Sequence, residues 1–145
     1  MSRIFRAAAA QMGPIQQADS REQTLARMIT LLEQGAAQGA RLVVFPELAF
    51  TTFFPRWILE GAALDSYFER SMPNPAVALL FDRALALGVG FYVGYAELTP
   101  EGRRFNSAVL VDPAGQIINK YRKVHLPGSV EPRPGAKYQQ LEKRY

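Results

Sequence analysis

The chain has 145 residues, 48% of them hydrophobic and 21% charged, with 11 Gly, 10 Pro and no Cys. That length suits one domain with a sizeable core, and the apolar content excludes a disordered chain. The absence of cysteine excludes a disulfide framework, a thiolate metal site and a cysteine nucleophile within these residues.

Formal net charge is +4, with a sequence pI of about 9.6. The 17 Lys and Arg are offset by 13 Asp and Glu and spread along the chain, which describes a solvated surface and no nucleic-acid partner. A single histidine, His125, is too few for a histidine zinc site. The run Ala7 to Ala10 is too short, and too closely preceded by Arg6, for a secretory core. No stretch reaches membrane-spanning length, so no membrane partner and a cytoplasmic location are expected.

Ile4 to Gln11 reads as a first strand of small residues. Asp19 with Glu22 three residues on predicts a capping-box start to a helix. Leu25, Met28, Ile29, Leu32 and Ala36 then follow at helical spacing, and Gly39 marks the stop. Leu42 to Phe45 is a buried strand cut off by Pro46, so strand, helix and strand make a βαβ unit with parallel strands. Thr51 to Trp57 forms an aromatic loop. Asn74 as cap and Pro75 at the first position predict a second helix with Val77, Leu80, Phe81, Ala84 and Leu85 on its apolar stripe, ending at Gly88.

Val89 to Glu97 is a strand, and Phe105 to Asp112 and Gln116 to Tyr121 flank the turn Asp112-Pro113-Ala114-Gly115 as a hairpin. Leu126 to Tyr145 shows no period and reads as irregular, with no final element to dock its end. The class is α/β, with a mostly parallel sheet and late antiparallel pairing.

Two residues stand where chemistry is done. Glu47 follows a strand end and is fixed in direction by Pro46, a position suited to a general base and equally to a polar residue opening a loop. Lys123 lies past the last strand, where alternation puts Tyr121 and Lys123 on one face and Lys120, Arg122 and Val124 on the other. An inward lysine there needs a carboxylate partner and suits an oxyanion; the same basic run also suits an edge strand that resists aggregation. Phe53-Phe54-Pro55-Arg56-Trp57 either lines a pocket, with Arg56 meeting a substrate carboxylate, or packs onto the body. No Gly-rich phosphate loop is present, which argues against a nucleotide cofactor.

Taken together, Phe45-Pro46-Glu47-Leu48 and Lys120-Tyr121-Arg122-Lys123-Val124-His125-Leu126-Pro127-Gly128 resemble the nitrilase (carbon–nitrogen hydrolase) superfamily. Thr51 to Trp57, Gly94-Tyr95-Ala96-Glu97-Leu98, Arg103 to Asn106 and Leu141 to Tyr145 resemble its N-carbamoyl-D-amino-acid amidohydrolase branch. The resemblance implies the N-terminal half of a four-layer α-β-β-α sandwich that assembles as a homo-oligomer. It also implies a Glu–Lys–Cys mechanism without cofactor or metal, acting on a small-molecule N-carbamoyl amino acid or amide. By that likeness Glu47 is the general base, Lys123 stabilises the tetrahedral intermediate, and Glu142 orients the lysine and binds substrate.

Two departures qualify the likeness. The family nucleophile lies beyond the position of Glu142, whereas this chain ends at Tyr145; Gln140 stands where the amidohydrolases tend to have histidine. Residues 1–145 are therefore expected to be the N-terminal portion of a carbon–nitrogen hydrolase domain, inactive alone. The alternatives are a non-catalytic dimeric binding protein keeping half of the fold, and another aliphatic amidase of the superfamily.

Overall fold

The computed structural model describes residues 4–136 and 139–145. Five strands form one sheet in chain order: β1 (Ala7–Ala9), β2 (Leu42–Val44), β3 (Gly90–Leu98), β4 (Arg104–Val111) and β5 (Ile117–Arg122). β1, β2 and β3 run parallel, and β4 and β5 add to them antiparallel. The first strand is shorter than the expected Ile4 to Gln11 because only Ala7 to Ala9 pair in register with Leu42 to Val44 of β2.

Helix α1 (Arg21–Ala37) makes the crossover from β1 to β2. Its cap is Ser20, one residue later than expected: Ser20 and Gln23 exchange the capping-box hydrogen bonds. Asp19 instead accepts from the Gln16 N–H and pairs with Arg27. A short helix, α2 (Gly61–Asp65), follows the aromatic loop, and α3 (Ala78–Leu87) precedes β3. Asn74 and Pro75 do not open α3. Asn74 closes a separate turn, its side chain accepting from the Ala76 N–H and its carbonyl from the Val77 N–H, while its amide reaches Glu69.

Leu25, Met28 and Leu32 of α1 join Val77, Leu80, Phe81 and Ala84 against Val43, Phe91, Val93, Tyr95, Val109 and Val111. Both long helices therefore cover one face of the sheet, with the α3 stripe ending at Ala84. Leu85, expected on that stripe, is exposed. Alternation sends Tyr92, Gly94 and Ala96 of β3 and Asn106 of β4 to the opposite face. There a second cluster of Leu48, Phe54, Leu64, Phe68, Ala96 and Leu98 covers one end, while Val44 and Tyr121 stay exposed. No helix among the described residues is long and apolar enough to cross a membrane.

The end of the chain is docked, contrary to the expectation from its lack of periodicity. Leu141 is fully buried and its N–H donates to the Pro55 carbonyl at 2.7 Å. The Tyr145 hydroxyl accepts from the Leu59 N–H and donates to the Trp57 carbonyl, with its ring beside Phe54. Specific side-chain anchors hold this segment without a regular element.

Candidate active site

Past β2 the backbone stays against β3. The Phe45 N–H donates to the Tyr92 carbonyl and the Ala49 N–H to the Gly94 carbonyl, so Pro46, Glu47 and Leu48 arch over Gly94. Leu48 holds φ at 49°, a left-handed conformation costing a leucine about 1–3 kcal/mol. Burial of its side chain in the second cluster offsets that strain and sets where Glu47 points.

Lys123 extends the ladder one step beyond β5, its N–H donating to the Asn106 carbonyl at 2.8 Å. Its ammonium lies 2.5 Å from Glu47 Oε1 and 3.1 Å from Glu142 Oε2. Glu142 opens a short 3-10 turn, Glu142–Arg144, and is buried directly after the anchored Leu141. The three residues named from sequence thus meet at one point, and Gln140 Nε2 donates to Glu142 Oε1 at 3.4 Å.

A fourth residue was missed. Asn106 donates from Nδ2 to Glu47 Oε1 at 2.5 Å, on the same oxygen that Lys123 uses. Its available signal was the one amide side chain of its strand, at a position alternating away from the helix-side face. Among the described residues both donors reach Oε1, and the half-exposed carboxylate keeps Oε2 without a protein donor.

Burial pulls the Lys123 pKa down, but hydrogen bonds to Glu47 and then Glu142 outweigh it, and the net direction is upward. A cation is therefore maintained at neutral pH, beside two carboxylates, one open and one enclosed. Such a trio can take a proton at the open carboxylate and present fixed positive charge to a developing oxyanion.

The aromatic loop divides between the two roles expected for it. Phe54 and Pro55 are buried, whereas Phe53, Arg56 and Trp57 line a groove of about 540 Å³ that also includes Glu47. The Arg56 guanidinium is exposed and sits over the Trp57 ring at 5.6 Å. His125 is exposed and stands outside the Lys123 contacts.

The fold is a mixed α/β layer, and the site upon it is a lysine past the end of β5 paired with two glutamates, one after β2 and one in the 3-10 turn. Residues 6–142 match the carbon–nitrogen hydrolase family, and the chain belongs to that family. A nitrilase of Pyrococcus abyssi is 36% identical over 99 residues, which is 66% of this chain and 35% of that protein. An omega-amidase of Danio rerio is 26% identical, over 70% of this chain and 34% of its own length. The crystal structure of a carbon–nitrogen hydrolase from Helicobacter pylori superposes with a TM-score of 0.69 at 26% identity, covering 85% of this chain and 40% of that one. The chain thus spans about a third of the length of these curated relatives, 35% and 34%.

Proposed function

We propose that residues 1–145 are the N-terminal portion of a hydrolase domain for non-peptide carbon–nitrogen bonds, with Glu47, Lys123 and Glu142 as its acid–base machinery. The observation that carries this is one ammonium held between two carboxylates, one past a strand end and one in a buried turn, in a chain of this family. Glu47 takes the proton of a thiol supplied from outside these residues, which contain no cysteine. The thiolate adds to the substrate carbonyl, and Lys123 faces the oxygen that gains charge. Glu142 holds the lysine in place. The amine departs with a proton, and water then resolves the acyl intermediate.

The finer reading is an N-carbamoyl-D-amino acid cleaved to D-amino acid, ammonia and carbon dioxide. The sequence likeness of Thr51 to Trp57 and Leu141 to Tyr145 supports it, as does an exposed Arg56 in the Glu47 groove that can meet a substrate carboxylate. An aliphatic amide is the alternative substrate, in keeping with the omega-amidase relative.

The 145-residue chain is expected to release no ammonia from N-carbamoyl-D-amino acids, and turnover by it would overturn the assignment of the nucleophile. In a longer form bearing the thiol, Lys123→Met is expected to lower kcat by about 10²–10³-fold, the cost of losing an oxyanion donor. Unchanged kcat would reject the role of Lys123.

A second reading is a non-catalytic homodimer built on the sheet face away from the long helices, where Val44 and Tyr121 are exposed. Sedimentation of the chain as a dimer that survives Glu47→Ala would favour it; a monomer would exclude it.

A further inference from the structure

Glu97 lies near the carboxyl end of β3 on the helix-side face, away from Glu47, and is buried. Four hydrogen bonds converge on its carboxylate. Oε1 accepts from Lys120 Nζ at 2.5 Å and from Arg122 Nη2 at 2.7 Å. Oε2 accepts from Ser107 Oγ at 2.6 Å and from Arg122 Nε at 3.0 Å. One side chain of β3 therefore ties down β4 and grips β5 twice, through a bidentate arginine and a lysine. Burial pushes the Glu97 carboxyl up, but the bonds from Arg122, Lys120 and Ser107 prevail and hold its pKa at about 2.

The pairing of β5 shows what that grip decides. Beside the turn, Val111 pairs with Ile117, but the ladder then shifts, giving Leu110 with Asn119, Val109 with Lys120, Ala108 with Tyr121 and Ser107 with Arg122. Ile118 is the extra residue of this bulge, and it is exposed. Directly opposed side chains share a face, so a shift of one residue exchanges the faces of all that follow. Had the pairing beside the turn continued, Tyr121 would oppose Ser107 and Arg122 would oppose Asn106. Arg122, and not Lys123, would then face Glu47.

Apolar burial does little to choose between these registers. β5 is an edge strand, exposed from Ile118 to Arg122, with only Ile117 partly buried against the core. The Glu97 carboxylate does discriminate, because the slipped register takes away its arginine fork and leaves Tyr121 beside Ser107.

We infer that Glu97 is a positioning residue that selects strand register. By gripping Lys120 and Arg122 on the helix side, it holds β5 in the bulged pairing that turns Lys123 toward Glu47 and Glu142. The importance of this rests on the role proposed for Lys123, but the test reads strand pairing and not turnover, so the two can fail separately.

Cross-strand nuclear Overhauser contacts in the 145-residue chain report the register directly. The Ala108–Tyr121 contact of the native chain is expected to give way in Glu97→Gln to Ala108–Lys120, with Lys123 losing its elevated titration. Deleting Ile118 makes the two registers coincide. The deletion combined with Glu97→Gln is therefore expected to recover both Ala108–Tyr121 and the Lys123 titration, a rescue that general stabilisation by Glu97 would not produce. Native pairing in Glu97→Gln, or no recovery in the combined variant, overturns the inference. Should Glu97→Gln alone not fold, a folded combined variant with Ala108–Tyr121 contacts supports register selection, and failure of both variants to fold overturns it.

Discussion

Gly94 and Glu47 are packed backbone to backbone: a Cβ built on Gly94 would lie 2.9 Å from Glu47 Cα and 3.1 Å from the Leu48 nitrogen. Only a residue without a side chain lets the arch after β2 rest on β3. Gly94→Ala is therefore expected to destabilise by about 1–3 kcal/mol, as overpacking does, and to weaken the Glu47–Lys123 pair. Urea unfolding checks the first effect, and a midpoint unchanged from the native chain would contradict it.

Lys123 titrates as its two carboxylates dictate. Its pKa is raised above the ordinary 10.5, so the trio's contribution to stability is complete below that value and disappears as pH rises through the raised one. Replacing Glu47 by Gln is expected to lower the Lys123 pKa. Replacing Glu142 as well leaves burial unopposed and should bring it below 10.5. Nitrogen-15 spectra of the lysine side chains measure this, and an unmoved titration in the double variant would refute the pairing.

Glu97 predicts an acid-side dependence of opposite sense. Its folded pKa of about 2 lies below the ordinary 4.5, so its stabilisation is present above 4.5 and is lost as pH falls from 4.5 toward 2. The gap in urea midpoint between the native chain and Glu97→Gln is expected to be wide at pH 6 and to close near pH 2. A constant gap would mean that the ionised carboxylate is not what stabilises.

Leu141 anchors the segment that delivers Glu142. Fully buried, it is expected to cost about 2–5 kcal/mol when replaced by Ala. Tyr145→Phe, which strips partners from the Leu59 N–H and the Trp57 carbonyl, is expected to cost about 1 kcal/mol. Thermal unfolding distinguishes an anchored end from a loose one, for which both variants would melt like the native chain.

The candidate site was legible where local chemistry is distinctive. Pro46-Glu47 after an apolar run marked a strand-end carboxylate, and alternation in β5 marked the face of Lys123. Asn106 was not legible, because its importance comes from an amide meeting Glu47 across 59 positions of sequence separation. Nor was the depth of Glu142, which follows from Leu141 binding the Pro55 carbonyl. The cap of α1 shows a subtler limit: Asp19 and Ser20 are both good caps with a partner three residues on, and the contacts of Asp19 with the Gln16 N–H and Arg27 separate them.

By itself the sequence determined the parts: a βαβ opening, a hairpin turned at Asp112-Pro113-Ala114-Gly115, and the residue types of an acid–base site. Those features depend on hydrophobic period, turn chemistry and side-chain identity, all of which are local. Tertiary structure decided that Glu47 and Lys123, 76 positions apart in sequence, come within 2.5 Å, and which strand pairing puts Lys123, already marked by alternation, and not Arg122 in that place. That choice depends on strand register, which a bulge at Ile118 shifts and a buried carboxylate on β3, reaching across β4, holds.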